Sequence, residues 1–383
     1  MTNTIKECFS LTIITLRFVG LYPDNNEPLV RKIWAYTLYF LEVLLTILTL
    51  VNLILEDNLD TMVMNQMVIF LTETGSSCFK LLPFLINGHE IKHCINYFGH
   101  RRFAPKHPQA KKIMDDCIRV CKRNIRIFFG VVGIAAFFFN TFPLIREKYT
   151  LQVNIWVPYE LSRDIVFIPT YICVLIVSLH IVFVGEMIGP LIGSMAYLVT
   201  AQVKILKYNL RNLAKFSKKN CSDSGMVTFE SVSEILKECI SYHNDILFFV
   251  EEYQSCFSFC VFCQIAGNML TMCFSCIGLT LVSFTNTDAI IYVMAYGILS
   301  FEIFFYCHYG TLLFEENETL IQDVCLASWY KYDTKIRKVL LIIMERSKTP
   351  LVLSAGKVVD LTYRTFMTVL KTSYSLIAVM NNY

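Results

Sequence analysis

The sequence has few charged residues. They make up 17% of the 383 residues, whereas 55% are hydrophobic and the mean hydropathy is +0.50. Because soluble domains are about one quarter charged, this balance indicates a membrane protein. The formal net charge of +3 is too small to point to nucleic acid as a partner.

The N-terminus lacks a secretory signal peptide. Its apolar stretch, residues 9–22, is interrupted by Arg17 and has no small-residue cleavage site. The chain does contain 15 cysteines, but many lie inside apolar runs. A free cysteine in such a run behaves as a small hydrophobic residue, so we do not expect a disulfide scaffold.

Metal-binding and catalytic motifs are also lacking. Cys260 with Cys263 and Cys273 with Cys276 match the spacing of zinc ligands, but both pairs fall inside an apolar run without a flanking histidine. The sequence has no glycine-rich phosphate loop and no nucleophile–base arrangement. We therefore expect no metal site, no cofactor and no enzymatic activity.

Long apolar runs dominate what the chain does contain. A helix needs about 20 apolar residues to cross a hydrocarbon core of roughly 30 Å. The sequence predicts an all-α, seven-transmembrane helical membrane protein with spans at 33–55, 62–86, 125–145, 165–199, 256–284, 289–314 and 358–380. The fourth run is longer than a bilayer requires, so we expect its helix to continue beyond the membrane, with kinks at Pro169 and Pro190.

Lysine and arginine are unevenly distributed between these spans. Nearly all of those outside the spans fall in alternating connecting segments. The positive-inside rule places these segments in the cytoplasm, which puts the N-terminus inside and the C-terminus outside. The last apolar run reaches Met380 with three residues after it, so we expect no cytoplasmic tail.

The connecting segments on the cytoplasmic side have the spacing of amphipathic helices. We expect these helices to pack together as an intracellular anchor bundle, rather than to lie on lipid. The predicted order is a cytoplasmic N-terminal segment at 1–32, spans one to four at 33–199, cytoplasmic helices at 200–255, spans five and six at 256–314, a cytoplasmic anchor helix at 315–357 and the seventh span at 358–383.

Several polar residues fall inside the predicted spans. We expect interhelical hydrogen bonds between them rather than a proton relay. Glu73 and Lys80 share a helix face but lie about 10 Å apart along the axis, too far for a direct pair. Asp360 and Arg364 have the spacing of an ion pair on one helix. The other polar residues in spans are Glu42, His180, Glu186, Glu302, His308 and Lys371.

The C-terminal part of the chain carries a specific pattern. It consists of Trp329-Tyr330, Pro350-Leu351, Ala355-Gly356-Lys357, Phe366 and the sequence Leu-Lys-Thr-Ser-Tyr-Ser at 370–375. This pattern resembles the C-terminal region of insect odorant receptors. In addition, His243 lies where that family often has a histidine before its fifth span. The related gustatory receptors tend to end in a Gln-Phe pattern that this chain lacks.

The odorant receptor family contains a shared co-receptor and many ligand-tuned subunits. The co-receptor has an insertion between spans four and five, and residues 200–255 lack it. The resemblance therefore implies the odorant-binding subunit of an odorant-gated, non-selective cation channel. It would form a hetero-tetramer with odorant receptor co-receptor subunits and bind a small volatile organic ligand. The protein is expected to lie in the plasma membrane, in contact with its lipid, in dendrites of olfactory sensory neurons.

The resemblance further implies that the seventh span of each subunit lines a central pore. Val379 falls where the family has an apolar gate residue, and an apolar ring can close a pore by dewetting. On the same helix, Lys371 is expected to face protein or the pore vestibule. The alternative for this face is contact with lipid or with other helices. The candidate pore residues are Thr372, Leu376, Val379, Asn382 and Tyr383.

The ligand pocket is expected in the outer halves of spans two, three, four and six. Aromatic side chains there could form an apolar cavity, and threonines could supply one or two hydrogen bonds to a volatile ligand. Each of these side chains could instead face lipid. The candidate ligand-binding residues are Phe70, Thr74, Phe138, Thr141, Phe142, Tyr171, Tyr292 and Tyr296.

Other classes of membrane protein are the alternatives. A metabotropic seven-span chemoreceptor would have the opposite orientation and an Asp-Arg-Tyr motif after its third span, which this sequence lacks. A transporter would show repeated halves, and none is detectable. A self-assembling gustatory-type ligand-gated channel would share the fold but would need no co-receptor.

The charge distribution leads to a prediction about orientation. An epitope tag at Met1 should be reached by antibody only after cells are permeabilised, whereas a tag at Tyr383 should be reached on intact cells. Antibody labelling of both tagged proteins at matched expression provides the measurement. Labelling of the N-terminal tag on intact cells would show that the chain has the opposite orientation.

Overall fold

The structure is a computed structural model. It describes residues 8–22, 28–56, 60–99, 103–146, 150–161, 163–220, 229–282, 287–326 and 329–380. Most of these residues are helical, which confirms the predicted all-α architecture. The helices in chain order are α1 Ser10–Val19, α2 Leu29–Leu55, α3 Thr61–Ile86, α4 Gly88–Tyr97, α5 Pro108–Arg146, α6 Asp164–His180, α7 Glu186–Arg211, α8 Leu213–Asn220, α9 Phe229–Leu281, α10 Thr287–Glu318, α11 Leu320–Leu326, α12 Thr334–Ser347 and α13 Tyr363–Met380.

Long apolar helices form the part of the molecule suited to a bilayer. In lipid, a helix satisfies its backbone hydrogen bonds internally, which is why apolar runs of this length fold as helices. Among the described residues, the helices long and apolar enough to cross a membrane are Leu29–Leu55, Thr61–Ile86, Pro108–Thr141, Asp164–Arg211, Phe229–Leu281 and Ala289–Leu326. The C-terminal helix α13 follows these and has 18 residues.

The central helix α9 packs against α3, α7, α10 and α13. Its 53 residues span about 80 Å, more than twice the thickness of a hydrocarbon core. The excess length carries α9 into a second helical layer, where Leu236 and Ile246 pack in one core with Leu210 of α7 and Leu340 of α12. The helices expected to form an anchor bundle therefore pack on each other, and α7 and α9 continue into that bundle without a break.

The fourth apolar run is interrupted by a π-helical turn. This turn, Ile181–Gly185, separates α6 from α7. Pro169 lies within α6 and Pro190 within α7. The irregular turn therefore falls between the two prolines and not at either of the predicted kink positions. A π turn places one extra residue in the helix, and such turns often occur next to functional sites.

The predicted start of the seventh span at 358 is wrong. Residues Ser354–Ala355 and Val359–Asp360 form an antiparallel pair of short strands, β1 and β2, and α13 begins only at Tyr363. A strand residue cannot share a helix face with Arg364, so the i, i+4 pair predicted between Asp360 and Arg364 is also wrong. Apolar character alone does not distinguish these extended residues from the helix that follows them.

The turn between the strands depends on Gly356. Its φ of +61° is in the left-handed region, and the following Lys357 also has a positive φ. Glycine adopts this conformation at no steric cost, which allows the chain to turn tightly between the two strands. The Gly356 amide donates to the Ser258 carbonyl at 2.9 Å, so the turn is fixed to the surface of α9.

A buried ion pair joins α3 to α10. Lys80 Nζ lies 3.4 Å from Glu302 Oε1, and both side chains are almost fully buried. Gln264 and Asn268 of α9 each donate to Glu302 Oε2 at 2.8 Å. Tyr306 donates to Oε1 at 3.4 Å. This set of residues, called the Glu302 cluster below, links three helices through the polar contacts that we expected between spans.

Replacing one partner of this pair should destabilise the protein strongly. Lys80→Met leaves the Glu302 carboxylate buried without its cation, which typically costs about 3–5 kcal/mol of unfolding free energy. Lys348→Met is the matched control, because Lys348 pairs with Glu345 on the surface, where both side chains are exposed. Thermal unfolding of both purified variants in detergent should show a large loss only for Lys80→Met. Equal stability of the two variants would contradict a structural role for the pair.

Candidate functional site

A cavity of about 520 Å³ lies between the membrane helices. Its walls come from α3, α5, the π turn with the adjoining ends of α6 and α7, α9 and α10. Residues 150–154, which connect α5 to α6, close one side. Its volume is within the range typical of pockets for small molecules.

Most of the cavity wall is apolar. Phe70, Val132, Phe139 and Ile298 are among the side chains that supply this surface. An apolar wall favours a hydrocarbon ligand because burial is worth about 25 cal/mol per Å² of apolar surface. The polar residues of the wall are Gln66, Glu73, Thr74, Thr150, Gln152, Asn154, Ser178, Glu186, Thr271, Ser275 and Tyr292.

The cavity brings together four of the residues predicted to bind ligand. Phe70 and Thr74 come from α3, Phe138 from α5 and Tyr292 from α10. Thr74 is fully buried, and its hydroxyl donates to the Phe70 carbonyl at 2.9 Å. Because a hydroxyl also accepts hydrogen bonds, Thr74 keeps acceptor capacity for a ligand.

The position of Tyr292 depends on a glycine of the neighbouring helix. A Cβ atom on Gly278 of α9 would lie 2.6 Å from the Tyr292 ring. The ring therefore packs directly on the α9 backbone and is 4% exposed. This contact fixes Tyr292 as a rigid part of the cavity wall.

The other predicted ligand-binding residues have different surroundings in the structure. The Thr141 hydroxyl donates to the Phe137 carbonyl of its own helix at 2.6 Å. Tyr171 donates to the Asn140 carbonyl at 2.6 Å. It packs with Phe167 in an apolar cluster that also contains Phe70 of the cavity wall, but Tyr171 itself does not line the cavity. The side chain of Phe142 lies outside the described residues.

Tyr296 contacts the C-terminal helix instead of the cavity. Its hydroxyl lies 3.2 Å from the Ser373 hydroxyl of α13. Tyr296 follows Tyr292 by four residues, so its side chain lies about one turn further along α10 and is rotated by about 40° around the helix axis. That difference separates a residue of the cavity wall from a residue of the contact between α10 and α13.

The structure leaves the predicted pore residues as predictions. Thr372 is exposed on α13 and donates to the Thr368 carbonyl at 2.9 Å. Lys371 is also exposed in this single chain. The side chains of Leu376 and Val379, and the whole of Asn382 and Tyr383, lie outside the described residues.

Two acidic residues of the cavity wall, Glu73 and Glu186, were not predicted as site residues. Both were expected only as partners in interhelical hydrogen bonds. The sequence could have indicated Glu73, because Gln66, Phe70 and Glu73 are spaced four and three residues apart and therefore lie on one face of α3. Residues 150–154 were missed because candidates were sought only within the spans.

Comparisons with known proteins are consistent with this architecture. Residues 60–374 match the family model described as 7tm Odorant receptor. The chain belongs to the odorant receptor family. Odorant receptor Or1 of Anopheles gambiae is 21% identical over 402 residues, which cover 98% of this chain and 95% of Or1. Odorant receptor Or2 of the same mosquito is 27% identical over 245 residues, which cover 62% of each chain.

Solved structures show the same fold. The insect olfactory receptor OR5 from Machilis hrabei superposes on this odorant receptor with a TM-score of 0.84, at 15% identity and over 99% of this chain and 98% of OR5. A second OR5 structure, in complex with eugenol, gives a TM-score of 0.82 at 14% identity over 98% of each chain. The likeness confirms the predicted seven-span fold of this multi-pass membrane protein.

The contrast between Tyr292 and Tyr296 provides a test of the cavity. Tyr292→Ala removes part of the wall, and a lost hydrogen bond of about 0.5–1.5 kcal/mol plus lost apolar contact should raise the half-maximal odorant concentration roughly tenfold or more. Tyr296→Phe removes only the hydroxyl that contacts Ser373. It should change the maximal current and leave the ranking of ligands intact.

The measurement is a set of dose–response curves for both variants at matched surface expression. If Tyr292→Ala leaves the sensitivity to every ligand unchanged while Tyr296→Phe reorders the ligands, the cavity is not where ligands bind.

Proposed function

We propose that this odorant receptor is a ligand-tuned subunit of an odorant-gated, non-selective cation channel. The observation that carries the proposal is the largely apolar cavity of about 520 Å³ inside the helices of an odorant receptor fold. It suits a small volatile molecule, held mainly by apolar contact and oriented by a few polar groups. The OR5 structure with eugenol supports the same kind of role for this fold.

Contacts of α10 support a link between ligand binding and channel opening. Tyr292 and Leu299 line the cavity, while Tyr296 contacts Ser373 of α13. Leu299 also packs in one apolar cluster with Val369 of α13. A ligand that shifts α10 therefore changes the contacts of the helix that we propose to line the pore.

Assembly with a co-receptor is the second part of the proposal. The chain lacks an insertion at 200–255, and α13 has exposed polar side chains, including Lys371 and Thr372. Because polar side chains facing lipid are costly, this face of α13 favours contact with other subunits or with a water-filled pore. We place the heteromeric channel in the plasma membrane of olfactory neuron dendrites, with Thr372, Leu376, Val379, Asn382 and Tyr383 along the pore.

Co-expression tests this assignment. Cells that express the chain alone should give little or no odorant-evoked current, whereas cells that also express the co-receptor should respond to some members of a panel of volatiles. Whole-cell recording at matched surface expression is the measurement, with cells that express the co-receptor alone as the control. A robust current from this chain alone would show that it assembles by itself, as a gustatory-type channel does.

A further inference from the structure

Two glutamates line one part of an otherwise apolar cavity. Glu73 belongs to α3, and Glu186 begins α7 directly after the π turn. Among the described residues, Glu73 Oε1 and Glu186 Oε2 are buried without a hydrogen-bond partner. A buried carboxyl oxygen without a donor carries an uncompensated desolvation cost. The cavity therefore contains acceptors that the protein itself does not satisfy.

The nearest buried cation, Lys80, is shared with a third carboxylate, that of Glu302. Lys80 Nζ lies 3.4 Å from Glu302 Oε1, and Glu302 also accepts bonds from Gln264 and Asn268. Among the described residues, neither Glu73 nor Glu186 forms an ion pair within 4 Å. The described residues lining the cavity include no lysine, arginine or histidine. Lys80 also interacts electrostatically with Glu186 and Glu73, so one ammonium group faces three buried carboxyl groups. The cavity wall therefore has more acidic groups than the protein neutralises.

A cationic ligand would supply what the wall lacks. A buried charge is tolerated when it has a partner of opposite sign, and an ammonium group donates three hydrogen bonds. Phe70, Phe138 and Phe139 offer aromatic surface for the rest of such a molecule and can also attract a cation through their ring faces. A ligand with only hydrogen-bond acceptors would leave Glu73 Oε1 and Glu186 Oε2 without a donor.

We propose that Glu73 and Glu186 make this cavity selective for small apolar ligands that carry a basic amino group. The inference rests on the proposed odorant-gated channel and narrows its ligands to volatile amines. A site with two carboxyl groups should prefer amines to alcohols, because an alcohol has one hydrogen-bond donor but no charge. It should prefer both to carbonyl compounds, which have neither a donor nor a charge.

The test uses three probes with one carbon skeleton: phenethylamine, phenethyl alcohol and phenylacetaldehyde. Each is applied to cells that co-express this chain and the co-receptor, and the half-maximal concentrations are compared. The amine should be at least about tenfold more potent than the alcohol, which corresponds to about 1.4 kcal/mol of binding free energy. The aldehyde should be the weakest of the three.

Glu73→Gln and Glu186→Gln keep the size of each side chain and remove its charge. Each should lower the potency of the amine about tenfold or more relative to the alcohol. Glu42→Gln is the matched control, because Glu42 is also a buried acid but pairs with His180 at 3.2 Å outside the cavity wall. Its ratio of amine to alcohol potency should equal that of the unmodified protein.

The outcomes separate this inference from the proposed function. If the alcohol or the aldehyde opens the unmodified channel and the amine does not, the inference fails while the odorant-gated channel stands. The inference also fails, with the channel intact, if both glutamine variants reach the surface and keep the ratio of potencies. If no volatile from a broad panel evokes current from the co-expressed subunits, the proposed function itself fails.

Discussion

The contact between Lys80 and Glu302 is the interaction on which the arrangement of the membrane helices depends. It joins α3 to α10, and the amides of Gln264 and Asn268 attach α9 to the same carboxylate. The cavity lies beside this cluster and is lined by residues of the same three helices. A charge pair in an apolar interior has few alternative partners, so it fixes which helices lie together and in which register. The shape of the cavity follows from that register.

Small residues allow the helices to approach closely around the cluster. A Cβ atom on Gly189 of α7 would lie 2.7 Å from Glu302 Oε1, and one on Gly267 of α9 would lie 2.5 Å from the Ser76 side chain of α3. Packing of membrane helices relies on such close approach because lipid provides no hydrophobic driving force between them. The polar cluster and the small residues act together, since the hydrogen bonds to Glu302 require short distances between the helices.

The sequence was sufficient to predict the spans because the length of an apolar run reflects the thickness of a bilayer. It was not sufficient for the start of the seventh span, because residues 354–360 form two short strands around a turn in which Gly356 and Lys357 adopt positive φ. Strand pairing depends on which residues meet across a turn. The composition of one segment does not contain that information.

The candidate site was predicted in part, for a related reason. Aromatic and hydroxyl residues in the outer halves of spans were a sound criterion for Phe70, Thr74, Phe138 and Tyr292. The criterion could not determine the rotation of each helix about its axis, which directs Tyr296 to α13. Rotation follows from the packing of neighbouring helices, which lies outside the sequence of any single span.

The C-terminal helix and the segment before it contact two helices that line the cavity. Near the cavity, Tyr296 of α10 contacts Ser373 of α13. At the other end, the strand pair that precedes α13 is bonded to α9, where Ser258 Oγ donates to the Ser354 carbonyl at 2.8 Å and Gln254 donates to the Val352 carbonyl at 3.0 Å. Both α9 and α10 contribute to the cavity wall. The start of α13 is also bonded to α10, where the Tyr363 amide donates to the Thr311 hydroxyl at 3.1 Å. Because α10 contacts α13 both at its start and at Ser373, a displacement of α10 by a ligand would act along the length of α13 between these contacts.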